Sequence, residues 1–324
     1  MSDDLVTTPD TLPNEQIAAS VVSSMTDEAV KSVIRMATGD QNFVFGIKTT
    51  DDEYVIRMTD NEHKQKFIAA IYWQNKLLPL GVPLAEFIHT DLDGKYSSFP
   101  SLLMKRLPGD DLVNVYHDLT DSDKKNLASE IIKIQAFATS LPEGPGYGIT
   151  DSYEHAHEFK TWHAFLMQRL HFFGEEVAKD NVFDPEKVSK VISIARNMED
   201  DLKRIPATPF LWDASERNVM VHNGKITGIV DVDELCFGDP LFVIAMTSTC
   251  LQLEGLDTVY TDYWEEMLSL DDKANQCLAF YKLFYAVAFM RKHSIQTANS
   301  KKVMFDVELL NGIYKKALKV VSDR

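Results

Sequence analysis

The chain has 324 residues, 33 basic and 49 acidic side chains, and a formal net charge of −16. With 45% hydrophobic and 25% charged residues it reads as globular, and its length suits two lobes, not one core. The negative balance disfavours nucleic acid and anionic membranes as partners. The three cysteines include no CxxC pair and exclude a disulfide framework, no apolar run is long enough to span a membrane, and the acidic N-terminus is unlike a signal peptide. A cytoplasmic location is expected.

After a polar start, Asn14–Ser24 predicts a short helix, and the texture then turns to strand. Strands are expected at Ser32–Met36, around Phe43–Ile47 and at Tyr54–Met58. A helix over Asp60–Leu77 stops at Pro79-Leu80-Gly81-Val82-Pro83. Two further strands, Ala85–His89 and Ser101–Met104, lead to a break at Leu107-Pro108-Gly109. Beyond it the pattern is helical. Leu119–Ser140 has a Thr120 cap and an apolar stripe of Leu127, Ile131, Ile134 and Phe137. More helices are expected at 157–173, 185–204, 241–253, 258–269, 271–293 and 304–321. They are interrupted by one hairpin, Asn218–His222 and Ile226–Val232 about an Asn223-Gly224 turn. The expected organisation is a nucleotide-binding lobe at 1–104, a hinge at 105–109 and a helical lobe at 110–324.

The hairpin carries the strongest chemical signal. Asp213 precedes it, Asn218 follows at D-x4-N spacing, and Asp231 is read as closing the second strand. Asn218 and Asp231 offer the hard oxygens that Mg²⁺ takes, with water and phosphate filling its shell. Asp213 is placed to accept a proton from a hydroxyl. Asp and Asn are also common turn residues, so the spacing alone leaves a structural reading open.

The run Leu211-Trp212-Asp213-Ala214-Ser215-Glu216-Arg217-Asn218, then Gly228-Ile229-Val230-Asp231, then Gly238-Asp239-Pro240, resembles the aminoglycoside phosphotransferase and choline kinase family. That resemblance implies an α+β, two-lobed protein-kinase-like fold with a small β-rich N-lobe and a larger α-helical C-lobe. It implies an ATP- (or GTP-) and Mg²⁺-dependent kinase for a small-molecule hydroxyl. Asp213 would be the catalytic aspartate, Asn218 and Asp231 the metal ligands, and Asp239 a structural residue. In the N-lobe, Gly39 and Asn42 stand where the family has its phosphate-covering loop. Arg57 stands where it has a phosphate-binding lysine, with Val55 over the adenine. Met104, Lys105 and Leu107 would frame the adenine from the hinge. Gly146-Tyr147-Gly148 and Trp162 resemble the family's insertion into its substrate lobe.

Three departures matter. Leu211 replaces a bracing histidine and Trp212 a glycine. Ala70 stands where a glutamate usually pairs with the phosphate-binding cation, with Glu62 the nearest acid. Val243 stands where a further aspartate often follows Gly-Asp-Pro. The missing histidine and the unassigned helix glutamate motivate an alternative, a nucleotide-binding pseudokinase acting as a scaffold. A protein kinase is disfavoured, since no Ala-Pro-Glu segment follows Asp231. From Ile226 to Asp272 there are eleven acids and no Lys or Arg. With Tyr260, Tyr263 and Trp264 in the same stretch, this points to a cationic, amine-bearing acceptor. His155 and His157 are not spaced for a shared helical face, so no zinc site is expected, and Cys236 is read as core.

Overall fold

The computed structural model describes residues 12–36, 43–155, 159–293, 295 and 303–322. The chain divides into two compact units, one of residues 1–71 and 85–106, the other of residues 72–84 and 107–324.

The first unit is built on an antiparallel five-stranded sheet. Helix α1 (Glu15–Thr26) starts where the Asn14 side chain accepts a hydrogen bond from the Ile17 amide, and ends at Asp27 in the left-handed region. Strands β1 (Val30–Arg35), β2 (Phe43–Thr49), β3 (Glu53–Met58), β4 (Phe87–Asp91) and β5 (Ser101–Lys105) lie in the order β1-β2-β3-β5-β4. Period-two alternation divides β3 between two cores. Tyr54, Ile56 and Met58 pack with Ala18, Val21 and Val22 of α1, while Val55 faces Phe67, Ala70, Leu102 and Met104.

Helix α2 (Lys64–Leu77) begins four residues later than expected, and the division between the units falls within it. Residues 72–84 belong to the second unit, not to the first 104, because Trp73, Leu77 and Val82 join its core.

The second unit is mainly helical. It contains β6 (Asp110–Asp111), α3 (Leu112–Val115), α4 (Asp121–Thr139), β7 (Gly148–Thr150), α5 (Trp162–Asp180), α6 (Glu186–Asn197) and α7 (Glu199–Lys203). Then come β8 (Thr208–Phe210), β9 (Val219–His222), β10 (Lys225–Ile229), β11 (Leu235–Gly238), α8 (Leu241–Leu253), α9 (Val259–Leu268), α10 (Asp272–Lys292) and α11 (Val307–Ser322). Thr120 and Asp123 form a reciprocal capping box on α4. The helix expected over 185–204 breaks at Met198 into α6 and α7.

The hairpin is present, with positive φ at both Asn223 and Gly224, as its two-residue turn requires. β6 joins its outer side, so β10-β9-β6 is a three-stranded sheet. Gly109 makes that approach possible: a Cβ there would stand 2.1 Å from the Val221 carbonyl oxygen, and its φ is +95°. A second small sheet, β7-β11-β8, has no counterpart in the sequence reading, because its strands are only three or four residues long. No helix among the described residues is long and apolar enough to cross a membrane.

Candidate active site

In the second unit, the segment after β8 carries the D-x4-N run. Strand β8 is held by β11, with Phe210 opposite Cys236, so the chain leaves the sheet at a fixed point. Leu211 follows, buried in the core. Its brace is not packing alone. The Gln135 carboxamide of α4 donates to the Leu211 carbonyl at 2.9 Å and accepts from the Leu211 amide at 3.1 Å. Gln135 is itself buried. A polar residue on the face that carries Leu127 and Ile131 was the signal in the sequence for this role.

Asp213, Asn218 and Asp231 are tied together through the backbone. The Asn218 side-chain nitrogen donates to the Asp213 carbonyl at 2.8 Å. The Asn218 carbonyl accepts from the Val230 amide at 2.9 Å. The first bond commits the amide half of Asn218 and leaves its Oδ1 as the atom available to a cation. Asp231 does not close the strand as expected. β10 ends at Ile229, and Asp231 lies two residues beyond it, exposed, with φ +60°. The Ile229 amide donates to the Pro83 carbonyl at 2.7 Å. A carboxamide and a carboxylate suit a hard cation that keeps waters and phosphate oxygens as its other ligands. Among the described residues no group of three or more His, Cys, Asp or Glu could hold a metal ion by itself.

Burial and the neighbouring Asp231 charge push the Asp213 carboxyl up to about 7; Glu216 adds to the shift, while the Ser215 hydroxyl and Lys292 oppose it. The Ser215 hydroxyl donates to Asp213 Oδ1 at 3.3 Å. A carboxylate with a pKa near neutrality is suited to take a proton from an alcohol. Asp239 has a structural setting. Its Oδ1 accepts from the Leu241 amide and its Oδ2 from the Tyr281 hydroxyl, which in turn accepts from the Trp162 indole. Trp162 is fully buried, and the Tyr147 hydroxyl bonds the Ile205 carbonyl.

In the first unit, Val55 and Met104 are opposed across β3 and β5, and both face the Phe67 cluster. Arg57 lies on the same face, largely buried, its guanidinium carbon 5.4 Å from the Phe67 ring centre. Lys105 is exposed and pairs with Asp52. Ala70 is buried in the same cluster, and Glu62 is exposed in the turn before α2. Gly39 and Asn42 lie outside the described residues, as does His157. Leu107 begins the second unit's main segment.

The acidic stretch is less of a wall than its composition suggests. Glu254 pairs with Arg217 at 2.5 Å, Asp257 with Lys124 at 2.8 Å and Glu265 with Lys282 at 2.5 Å, all with cations from outside the stretch. Tyr260 and Trp264 are buried core residues, and the Tyr263 ring is covered by Lys125. Helical spacing turns Tyr260 and Trp264 inward, away from any acceptor, whereas Tyr263 stays half-buried. Cys236 and Cys277 are buried and Cys250 half-buried, and burial pushes all three thiols up.

With this geometry, comparison with known proteins gives a consistent result. The model of the phosphotransferase enzyme family matches residues 33–274. The chain belongs to that family. It is a phosphotransferase acting on small molecules, with the two-lobed kinase-like fold. No curated protein matches by sequence. Among solved structures it is similar to the aminoglycoside phosphotransferase APH(4)-Ia, at 15% identity over 95% of this chain and 99% of that one, with a TM-score of 0.66. A thermostable mutant of that enzyme, solved with ADP and hygromycin B, gives 15% identity, 94% and 97% coverage and a TM-score of 0.65. A putative fructosamine-3-kinase from Haemophilus somnus 129PT gives 14% identity, 94% and 96% coverage and a TM-score of 0.60.

Proposed function

We propose that the chain transfers the terminal phosphoryl group of ATP, with Mg²⁺, to an alcohol hydroxyl of a small molecule. The observation that supports this reading is the pair of hydrogen bonds that joins the Asn218 side chain to the Asp213 carbonyl and the Asn218 carbonyl to the Val230 amide, next to Asp231. Asp213 orients the acceptor hydroxyl and takes its proton. Asn218 Oδ1 and the Asp231 carboxylate hold the metal, which neutralises phosphate charge when bound. Arg57 binds phosphate oxygens as a planar, charge-assisted donor. Val55, Met104, Lys105 and Leu107 frame the base, with Gly39 and Asn42 at the phosphates. Such a reaction needs positioning and charge neutralisation, not a covalent intermediate.

A pseudokinase is motivated by the missing histidine at Leu211 and by Ala70 in the place of the helix glutamate, which the structure leaves as it was. The two hydrogen bonds from Gln135 supply another brace for the same loop, which favours catalysis. Of the eleven acids behind the amine-bearing expectation, Glu254, Asp257 and Glu265 are paired with cations and Asp239 is held by the Leu241 amide and the Tyr281 hydroxyl, which removes part of its support. The test is phosphate transfer from MgATP over a panel of small alcohols, with Asp213→Asn as the control. Transfer that survives in Asp213→Asn at the wild-type rate would sink the reading.

A further inference from the structure

The helical unit holds a second charged cluster, which phosphoryl transfer as described does not use. Arg169 on α5 and Arg291 near the end of α10 share an aromatic neighbour. The Arg291 guanidinium carbon lies 4.7 Å from the centre of the Phe172 ring, and that of Arg169 lies 5.7 Å from it. Arg169 also sits 5.5 Å from the Phe173 ring centre. Both arginines are half-buried. Stacking on aromatic faces offsets part of the cost of bringing them together, but it supplies no counter-charge.

Neither arginine forms an ion pair with a carboxylate among the described residues. Glu176, close enough for its pKa to be lowered by Arg291, is bonded instead to Lys179 at 2.5 Å. Burial and the Arg291 charge hold the Arg169 pKa below its ordinary value.

Two polar atoms in the cluster are enclosed and have no hydrogen-bond partner: Arg291 Nε and the Tyr285 hydroxyl. Tyr285 is 6% exposed, with its ring centre 4.5 Å from that of Phe242. Burial, with Cys236, Cys250 and Asp213, holds its hydroxyl pKa well above the ordinary value while Arg169 lowers it, so that hydroxyl lies near both Arg169 and Asp213. An enclosed donor without a partner is costly, so two of them beside two like charges favour an acceptor of hydrogen bonds at this place.

We propose that Arg169, Arg291 and Tyr285 form a site for an oxyanion carried by the phosphate acceptor, so that the phosphorylated alcohol is an acid bearing a carboxylate or a phosphate. The proposal rests on the phosphotransferase reading above. One oxyanion would separate the two guanidiniums electrostatically and take charge-assisted bonds from their planar forks. It would also satisfy Arg291 Nε and the Tyr285 hydroxyl. An acidic acceptor replaces the amine-bearing one as the class these side chains favour.

Four three-carbon alcohols test it: glycerol is neutral, serinol cationic, D-glycerate a carboxylate and sn-glycerol 3-phosphate a phosphate. Their binding to the nucleotide-free protein is measured by calorimetry. One of the two anions should bind most tightly, and which one does so distinguishes carboxylate from phosphate. Its affinity should fall by about tenfold or more in Arg169→Gln and Arg291→Gln, each the loss of a charge-assisted contact. Tyr285→Phe keeps the ring in the core and removes only the hydroxyl, and should weaken the same ligand several-fold. Preference for serinol, equal binding of all four, no binding of either anion, or unchanged affinity in the arginine variants would overturn the site. Because no nucleotide is present, these outcomes stand apart from those of the transfer assay.

Discussion

Gln135 and Leu211 are joined by two hydrogen bonds, one to each polar group of the Leu211 backbone, inside the core of the helical unit. The loop that carries Asp213 is therefore fixed two residues before its functional carboxylate, from a helix 76 positions earlier in the chain. Gln135→Leu preserves bulk but leaves the Leu211 amide and carbonyl unpaired. The expected loss of stability is about 2–4 kcal/mol, from two orphaned buried groups. Chemical denaturation measures it, and a loss below about 0.5 kcal/mol, the size of a surface effect, would show that the bonds are dispensable. Turnover should fall more than nucleotide affinity, since the bonds position the loop and touch no phosphate.

Leu211→Ala tests the packing half of the same brace. Truncating a buried leucine costs about 2–5 kcal/mol. Because Leu211 contacts Gln135 through its backbone, the alanine should keep both hydrogen bonds. The double variant with Gln135→Leu is therefore expected to lose close to the sum of the two single losses, checked by a double-mutant cycle.

Asp213→Asn should retain the thermal shift produced by MgATP and lower kcat by about 10²–10⁴-fold, the range for removing a positioned general base. Parallel fluorimetry and transfer assays separate the two quantities.

Nucleotide binding should depend on the metal. MgATP should raise Tm by more than ATP with a chelator does, and Asn218→Ala and Asp231→Asn should shrink that difference. Arg57→Ala should weaken nucleotide binding with and without metal, because its guanidinium acts on phosphate directly. Equal shifts with and without Mg²⁺ in the wild type would remove the metal assignment.

Acid stability should depend on Asp257. Burial raises its pKa, but the Lys124 ammonium, the Val259 amide and the Tyr116 hydroxyl together outweigh burial and leave it lowered from 3.8. A depressed folded-state pKa contributes stability that is present above the unfolded value and lost as pH falls through the folded one. Between pH 5 and 2.5, Asp257→Asn should therefore show a shallower loss of Tm than the wild type. Identical slopes would show that the pairing with Lys124 carries no linkage.

The elements legible in the sequence were those with long periodic patterns or strong punctuation. The Thr120 cap, the Asn223-Gly224 turn and the alternation of β3 all appear where residue chemistry puts them. Strands β7, β8 and β11 were not legible, because segments of three or four residues carry no period and are defined by partners far away in sequence. The D-x4-N run was visible, but its brace was not, since Gln135 meets Leu211 only through tertiary packing. Composition misled most in the acidic stretch. A count of charges along the chain cannot see that Arg217, Lys124 and Lys282 arrive from elsewhere to neutralise part of it.

The membership of residues 72–84 in the helical unit bears on how the protein can be dissected. Trp73 is completely enclosed there, and its indole donates to the Thr150 carbonyl at 3.3 Å. A fragment that starts at Leu107 would lack Trp73, Leu77 and Val82, and would open a hole in its own interior the size of three large side chains. One that ends at Arg106 would carry the same three without their partners. No single cut yields two well-packed pieces, so a truncated helical unit needs the 72–84 peptide fused back or added in trans.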